Sequence, residues 1–144
     1  SEILTEGLHA VIGTPIIDGD HIYGFGSYGQ LRCLVAATGE RVWETIELVG
    51  QERWGAAFFV QHGDRVFVTN DSGELILARL TPEGYTEIGR TRLIAPATRT
   101  RGGATGRWGD RGVVWSHPAY ANRHLVMRND DEIIRVSLAA ADYD

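Results

Sequence analysis

The sequence predicts an all-β fold made of repeated units of four antiparallel strands, and two observations lead to this prediction. First, shifting the chain by 44 residues places residues 19–23 on 63–67 and residues 29–31 on 73–75, and both segments read as apolar strand, polar turn, apolar strand. Second, no segment has the apolar period of an amphipathic helix. A repeat of about 40–45 residues that contains several short strands is typical of a β-propeller blade. The predicted fold class is therefore a partial β-propeller of about three blades.

A third copy of the repeat follows after a longer interval. A further shift of 59 residues places 63–67 on 122–126, and the next strand then begins near residue 129 with one turn residue deleted. Pro15 and Pro118 fall in register as well. The predicted blades are approximately residues 9–53, 54–94 and 113–138 of one partial propeller that spans residues 1–144.

Short apolar or alternating runs, separated by turn-forming residues, predict the strands within the later blades. In the second blade they are residues 56–60, 66–69, 74–80 and 85–90. In the third blade they are residues 113–116, 124–128 and 132–138. Between these two blades, residues 95–112 have neither a period nor apolar core content, which predicts a long loop and accounts for the spacing of 59 instead of 44.

The hairpin turns have residues suited to them. Gly29 and Gly73 are predicted to supply the positive φ that a tight hairpin needs. Asp71, Ser72 and Asn129 are predicted to hydrogen-bond to their own backbone.

The long loop contains the best candidate for a binding surface. All 14 basic residues of the chain are arginine, and six of them lie between positions 90 and 111, where Asp110 is the one acid. Arginine binds carboxylates and phosphates through paired hydrogen bonds and stacks on nucleobases. The alternative interpretation is a solvated insertion whose charges offset an acidic body. The candidate ligand or partner residues are Arg99, Arg101, Arg107, Trp108 and Arg111.

Several aromatic residues have both a packing and a functional interpretation. Trp115, His117 and Tyr120 stand together at the start of the third copy, where they either pack between blades or line a channel mouth. Trp43 closes the first copy and is expected to be structural. Trp54 either packs against a neighbouring blade or faces the channel, and the sequence leaves both open.

No metal site or catalytic constellation is predicted. Residues 70–74 and 129–132 carry the oxygen ligands that calcium prefers, but they lack the alternate spacing of a calcium loop and lie where hairpin turns are expected. We interpret both as turns. The five histidines show no paired metal-binding spacing. The single cysteine, Cys33, excludes an intrachain disulfide and is expected to be a small buried hydrophobe.

The composition is that of a folded, turn-rich domain, with 43% hydrophobic residues, 18 glycines and a net charge of −5. No apolar run approaches the roughly 20 residues that span a bilayer, so no membrane span is predicted. A propeller blade buries its faces only against its neighbours, so three blades alone leave two apolar faces exposed. The missing blades come from a longer polypeptide, from further copies that complete a ring, or from a partner chain. The opening residue Ser1 favours the first of these.

Residues 14–43 resemble the pyrroloquinoline quinone-like repeat of eight-bladed, quinoprotein-like propellers. The repeat begins with Thr14-Pro15, continues through Asp18-Gly19, and ends with Ala37-Thr38-Gly39-Glu40 and the closing Trp43. Residues 113–138 resemble the last blade of bacterial proteins in this family. The middle copy departs from the pattern, because it has Phe59 in place of the proline and lacks the Ala-Thr-Gly-Glu motif and its Trp.

The resemblance implies two alternative functions, and the arginine-rich loop suggests a third. Non-catalytic members of the family are scaffolds that hold protein partners through loops and open strand edges, and this function needs no residue that the sequence lacks. Quinone-dependent dehydrogenases hold the quinone and calcium in the central channel, often against a vicinal disulfide that Cys33 cannot form alone. Quinone and calcium are therefore expected only if the missing blades supply the site. Anion or nucleic-acid binding by the arginine loop is the third, and the negative net charge disfavours it. The family also implies a periplasmic or extracytoplasmic location.

Overall fold

The computed structural model describes residues 7–100 and 111–139, which form three antiparallel sheets and one short ladder. The first sheet contains β1 (Ile16–Asp18), β2 (His21–Phe25), β3 (Leu31–Val35) and β4 (Arg41–Thr45). The second contains β5 (Ala57–His62), β6 (Arg65–Asn70), β7 (Glu74–Thr81) and β8 (Gly84–Arg92). A two-stranded ladder joins β9 (Thr98–Arg99) to β10 (Gly112–Val113). The third sheet contains β11 (Ala119–Ala121), β12 (His124–Arg128) and β13 (Ile133–Ser137).

In each sheet the strands follow one another in chain order, and every neighbouring pair is antiparallel. The predicted all-β fold class, a partial β-propeller of antiparallel sheets, is confirmed. Within the described residues the third sheet has three strands, so that the outer edge of β13 has no paired strand there. Among residues 7–100 and 111–139 there is also no helix that could span a membrane.

The region between the second and third sheets differs from the prediction in two ways. Residues 95–112 contain strand pairing, because β9 and β10 close the two ends of the predicted loop onto each other. The strand predicted at 113–116 is not the first strand of the third sheet, which is instead β11. The reason is that Val113 pairs with Thr98 in the ladder, and the Val114 N–H donates to the Asp71 carbonyl at 2.7 Å.

Neighbouring sheets pack face to face and share their cores. The first core cluster takes Phe25, Leu31 and Cys33 from the first sheet and Val68 and Ile76 from the second. A second cluster lies between the second and third sheets and contains Ile94, Val114, Leu125 and Met127. Cys33 is fully buried, as predicted. Each sheet thus buries its apolar face against the next, which is the packing that a propeller blade requires.

Trp43 links the first two sheets, as its expected structural role requires. Its indole N–H donates to the carbonyl of Thr81, the last residue of β7, at 2.8 Å, and its ring lies 5.9 Å from that of Tyr23.

Arg32 forms a buried ion pair that the sequence did not reveal, and the residue is only 1% exposed. Its guanidinium binds Glu44 of β4 at 2.7 Å and the Gly7 carbonyl. Arg32 therefore ties the outer strand of the first sheet to the segment that precedes β1.

Gly29 and Gly73 have the predicted positive φ, at 82° and 78°. Both also lie in van der Waals contact with the segment that follows their sheet. A Cβ atom at Gly29 would lie 2.2 Å from the Gly50 carbonyl oxygen, and one at Gly73 would lie 2.0 Å from that of Ile94. The hairpin turn of one sheet and the start of the connection to the next are therefore in backbone contact, and only glycine fits there.

We predict that Gly73→Ala lowers the free energy of unfolding by about 2–4 kcal/mol, since it adds an overpacked backbone contact to an unfavourable φ. The matched control is Gly63→Ala, because Gly63 also has a positive φ of 62° but nothing lies within 4 Å of the added Cβ. That control should cost only about 1 kcal/mol. Urea denaturation measures both, and equal losses would contradict the close backbone contact.

Candidate functional site

Hairpin turns and inter-sheet segments meet along one end of the strands and form what we call the turn face. It comprises residues 26–30, 46–56, 70–74, 93–100, 111–112 and 129–132. Backbone hydrogen bonds join these segments. The N–H groups of Glu52 and Trp54 donate to the carbonyls of Tyr28 and Ser27 at 3.1 and 2.7 Å, and the Leu93 N–H donates to Gly73 at 2.9 Å. The turn face is therefore one connected layer.

Two asparagines hold equivalent turns of this face. The Asn70 side-chain oxygen accepts from the N–H groups of Ser72 and Glu74, at 3.1 and 3.0 Å, and its amide donates to the Leu48 carbonyl. Asn129 repeats the pattern. Its side-chain amide donates to the Ala95 carbonyl at 2.9 Å, and its side-chain oxygen accepts from two N–H groups of its own turn. Asn129 acts as predicted, whereas in the second sheet it is Asn70, and not Asp71 or Ser72, that caps the turn.

The spacing of these bonds locates the insertion in the third repeat. Asn70 reaches back 22 residues to Leu48, but Asn129 reaches back 34 residues to Ala95. The added residues therefore follow Ala95. The described ends of this insertion, residues 96–100 and 111–112, form what we call the neck, in which the Thr100 N–H donates to the Arg111 carbonyl at 2.9 Å. The Thr98 hydroxyl also donates to Asp130 of the third sheet at 2.7 Å.

Arg111, one of the predicted ligand residues, binds carboxylates of its own chain. Its guanidinium lies 2.7 Å from the Asp71 carboxylate and 3.4 Å from that of Glu52. The Asp71 side chain is 0% exposed and that of Arg111 is 19% exposed. Asp71 also accepts from the Ala56 N–H at 3.1 Å. Arg111 therefore fixes the neck to the second sheet and to the preceding inter-sheet segment.

The other arginines of this region divide into paired and free side chains. Arg90 binds Glu74 at 2.8 Å and Glu87 at 2.9 Å, and its hydrogen bonds hold the pKa of Glu87 below the usual range. Arg99 is exposed and forms no ion pair with any described residue. The remaining predicted site residues, Arg101, Arg107 and Trp108, lie outside the described residues. Of the described candidates, Arg99 alone keeps its charge available to a ligand.

The sequence left the role of Trp54 open, and the structure places it at the surface of the turn face. Its side chain is 40% exposed, and the Arg53 guanidinium lies 4.5 Å from its ring centre. Its backbone has a φ of 56°, a left-handed conformation that is unfavourable for a bulky residue. Two contacts hold this conformation. The Trp54 N–H donates to the Ser27 carbonyl, and the adjacent Gly55 packs against Gly29. Trp54 is therefore an exposed aromatic residue that is held in a strained backbone conformation.

The aromatic residues at the start of the third repeat are arranged as packing between sheets. The rings of His117 and Phe58 lie 4.2 Å apart, and those of Tyr120 and Phe67 lie 5.9 Å apart. The Trp115 indole N–H is buried and has no hydrogen-bond partner among the described residues.

A calcium ion, as bound in the enzymes of the resembled family, does not fit the described oxygen clusters. In the 70–74 turn the Asn70 oxygen already accepts two N–H groups, and the Glu74 carboxylate binds Asn70 and Arg90. In the 129–132 turn the Asn129 oxygen is used in the same way. Within residues 7–100 and 111–139 no three His, Cys, Asp or Glu side chains are grouped to hold a metal.

No protein-family model and no curated protein matches the sequence. Among solved structures, the crystal structure of BamB from Moraxella catarrhalis is similar, with a TM-score of 0.51 and 22% identity over 88% of this chain. The described residues have the fold of a partial β-propeller. Quinohemoprotein alcohol dehydrogenase from Comamonas testosteroni is also similar, with a TM-score of 0.47 and 16% identity over 85% of the chain. This propeller arc spans 34% of the first structure and 17% of the second.

We predict that Arg111→Ala lowers the free energy of unfolding by about 3 kcal/mol, because it leaves the Asp71 carboxylate buried without its cation. The matched control is Arg99→Ala, which removes an exposed arginine from the same neck and should change stability by less than about 0.5 kcal/mol. Chemical denaturation measures both variants. A loss for Arg111→Ala as small as that of the control would show that Asp71 does not need the ion pair.

Proposed function

We propose that this propeller module is non-catalytic and binds a protein partner through the turn face. The exposed Trp54 beside Arg53 is the observation that carries the proposal. Tryptophan and arginine are the residues most enriched among those that dominate protein–protein binding energy. A tryptophan held in an unfavourable backbone conformation is also pre-organised, so that little side-chain and loop entropy remains to be lost on binding.

Two exposed arginines of the turn face suggest one feature of the partner's chemistry. Arg53 and Arg99 are exposed on the turn face, whereas Arg111 is neutralised by Asp71 and Glu52. We infer that the partner surface presents an apolar pocket for the indole ring, with carboxylates nearby that pair with these arginines. A location outside the bacterial cytoplasm belongs to the same proposal, as the family resemblance implies.

The test uses one variant with two measurements. Trp54→Gly should leave the free energy of unfolding unchanged or raise it by up to about 1 kcal/mol, because glycine accepts the positive φ. The same change should weaken partner binding at least tenfold.

The partner is first identified by photo-crosslinking from a benzoylphenylalanine at position 53, with position 64 at the opposite end of the strands as the control site. Binding is then measured by calorimetry with the purified partner.

The matched control is Ile88→Ala on β8, because Ile88 is 43% exposed but lies away from the turn face. It should leave the affinity unchanged. Three results would contradict the proposal: equal crosslinking from positions 53 and 64, equal affinity loss in both variants, or a large loss of stability in Trp54→Gly. The last would make Trp54 a packing residue. Salt-sensitive retention on heparin that Arg99→Ala abolishes would instead favour anion binding by the neck.

A further inference from the structure

A cavity of about 400 Å³ lies between the second and third sheets at the end opposite the turn face. This volume lies within the range of about 300–1,000 Å³ that is typical of small-molecule sites. Its walls are mostly apolar and include Val60, Phe67, Tyr120 and Leu138. The Phe67 and Tyr120 rings, with centres 5.9 Å apart, come from different sheets. The cavity therefore exists only because the two sheets pack together.

The polar rim of this cavity is basic. Arg123 and the two imidazoles of His62 and His124 line it, and none of the described lining residues is acidic. This contrasts with the net charge of −5 of the whole chain. Arg123 is exposed and forms no ion pair or side-chain hydrogen bond with a described residue. An anion at the rim would thus meet the free Arg123 guanidinium and no carboxylate among the described lining residues.

Hydrogen bonds fix the tautomer of His124, and burial keeps the Tyr120 hydroxyl protonated. The His124 Nδ1 lies 2.7 Å from the Asn122 carbonyl, so it carries the proton that it donates there. Nε2 then accepts from Arg135 at 2.9 Å, which brings a second cation close to the rim. The Tyr120 hydroxyl is buried and has no hydrogen-bond partner among the described residues, and burial raises its pKa above the ordinary value. It therefore remains a donor.

The backbone at Arg123 gives an independent reason to assign it a function. Asn122 and Arg123 are the two central residues of the β11–β12 hairpin, with φ of 49° and 58°. Such two-residue turns favour glycine at the second position, because a side chain is unfavourable at positive φ. An arginine here is therefore disfavoured by the turn itself, and a contact made by its guanidinium would account for it.

We propose that this cavity binds a small amphipathic carboxylate. The apolar body of the ligand lies between Phe67 and Tyr120, and its carboxylate lies at Arg123. The apolar walls would accept an aryl or branched alkyl group, and the cationic rim selects the acid over a neutral compound of the same shape.

The experiment titrates the 144-residue chain with 3-phenylpropionate and, separately, with the neutral 3-phenylpropionamide, and records amide chemical shifts by NMR. The acid should shift the signals of residues 60–67 and 120–124 in a saturable way, and the amide should bind at least tenfold more weakly. Arg123→Gly should weaken acid binding at least tenfold while its thermal midpoint stays equal or rises, because glycine suits the turn. That midpoint separates loss of the site from loss of the fold.

The matched control is Arg128→Gln, since Arg128 is exposed at the other end of the same strand, β12. It should bind the acid as the unchanged chain does. Equal affinity for acid and amide would overturn the proposal, because the cleft would then be only apolar. Non-saturable shifts, or an equal loss in Arg123→Gly and Arg128→Gln, would overturn it as well.

Discussion

The turn face depends on Asp71, a buried carboxylate at the start of one hairpin turn. Its N–H and one carboxylate oxygen bind the carbonyl and N–H of Ala56, at 3.0 and 3.1 Å. Its carbonyl accepts from Val114 at 2.7 Å, and its carboxylate binds Arg111 at 2.7 Å. One residue thus joins the segment just before β5, the approach to the third sheet and the neck. The Arg111 cation and the Ala56 N–H both bind the same carboxylate oxygen, Oδ2, whereas Oδ1 is buried with no hydrogen-bond partner among the described residues. The ion pair with Arg111 offsets part of the cost of burying this carboxylate.

This arrangement connects the repeat architecture to the proposed function. Each sheet is stable only against its neighbour, so the connections between sheets must pack closely on the preceding turns, as Gly29 and Gly73 show. The close contact produces a rigid layer at one end of the strands. Rigid scaffolds commonly carry binding residues on such loops. The layer presents Trp54 and Arg99, whereas the opposite end of the sheets has the cavity lined by Arg123.

The sequence predicted those features whose cause is local. The positive φ of Gly29 and the turn made by Asn129 follow from turn chemistry, and the fold class follows from the repeat. Features that depend on distant partners were missed. The sequence predicts Arg111 as a ligand residue but does not reveal that it pairs with Asp71, because that carboxylate is 40 residues away and nothing local marks the pair. The start of the third sheet was misplaced because Val113 has the same apolar pattern whether it pairs within a blade or in the neck. The strained Trp54 had no sequence signal.

The most direct test of the account is residue-resolved amide hydrogen exchange in the unchanged chain and in Asp71→Ala. If Asp71 joins the segments of the turn face, protection should fall together at Ala56, Thr100 and Val114, because their hydrogen bonds belong to one layer. The amide of Cys33, in the ladder of the first sheet, should keep its protection. Loss of protection at Ala56 alone would contradict the account, because it would show that the three segments are held independently.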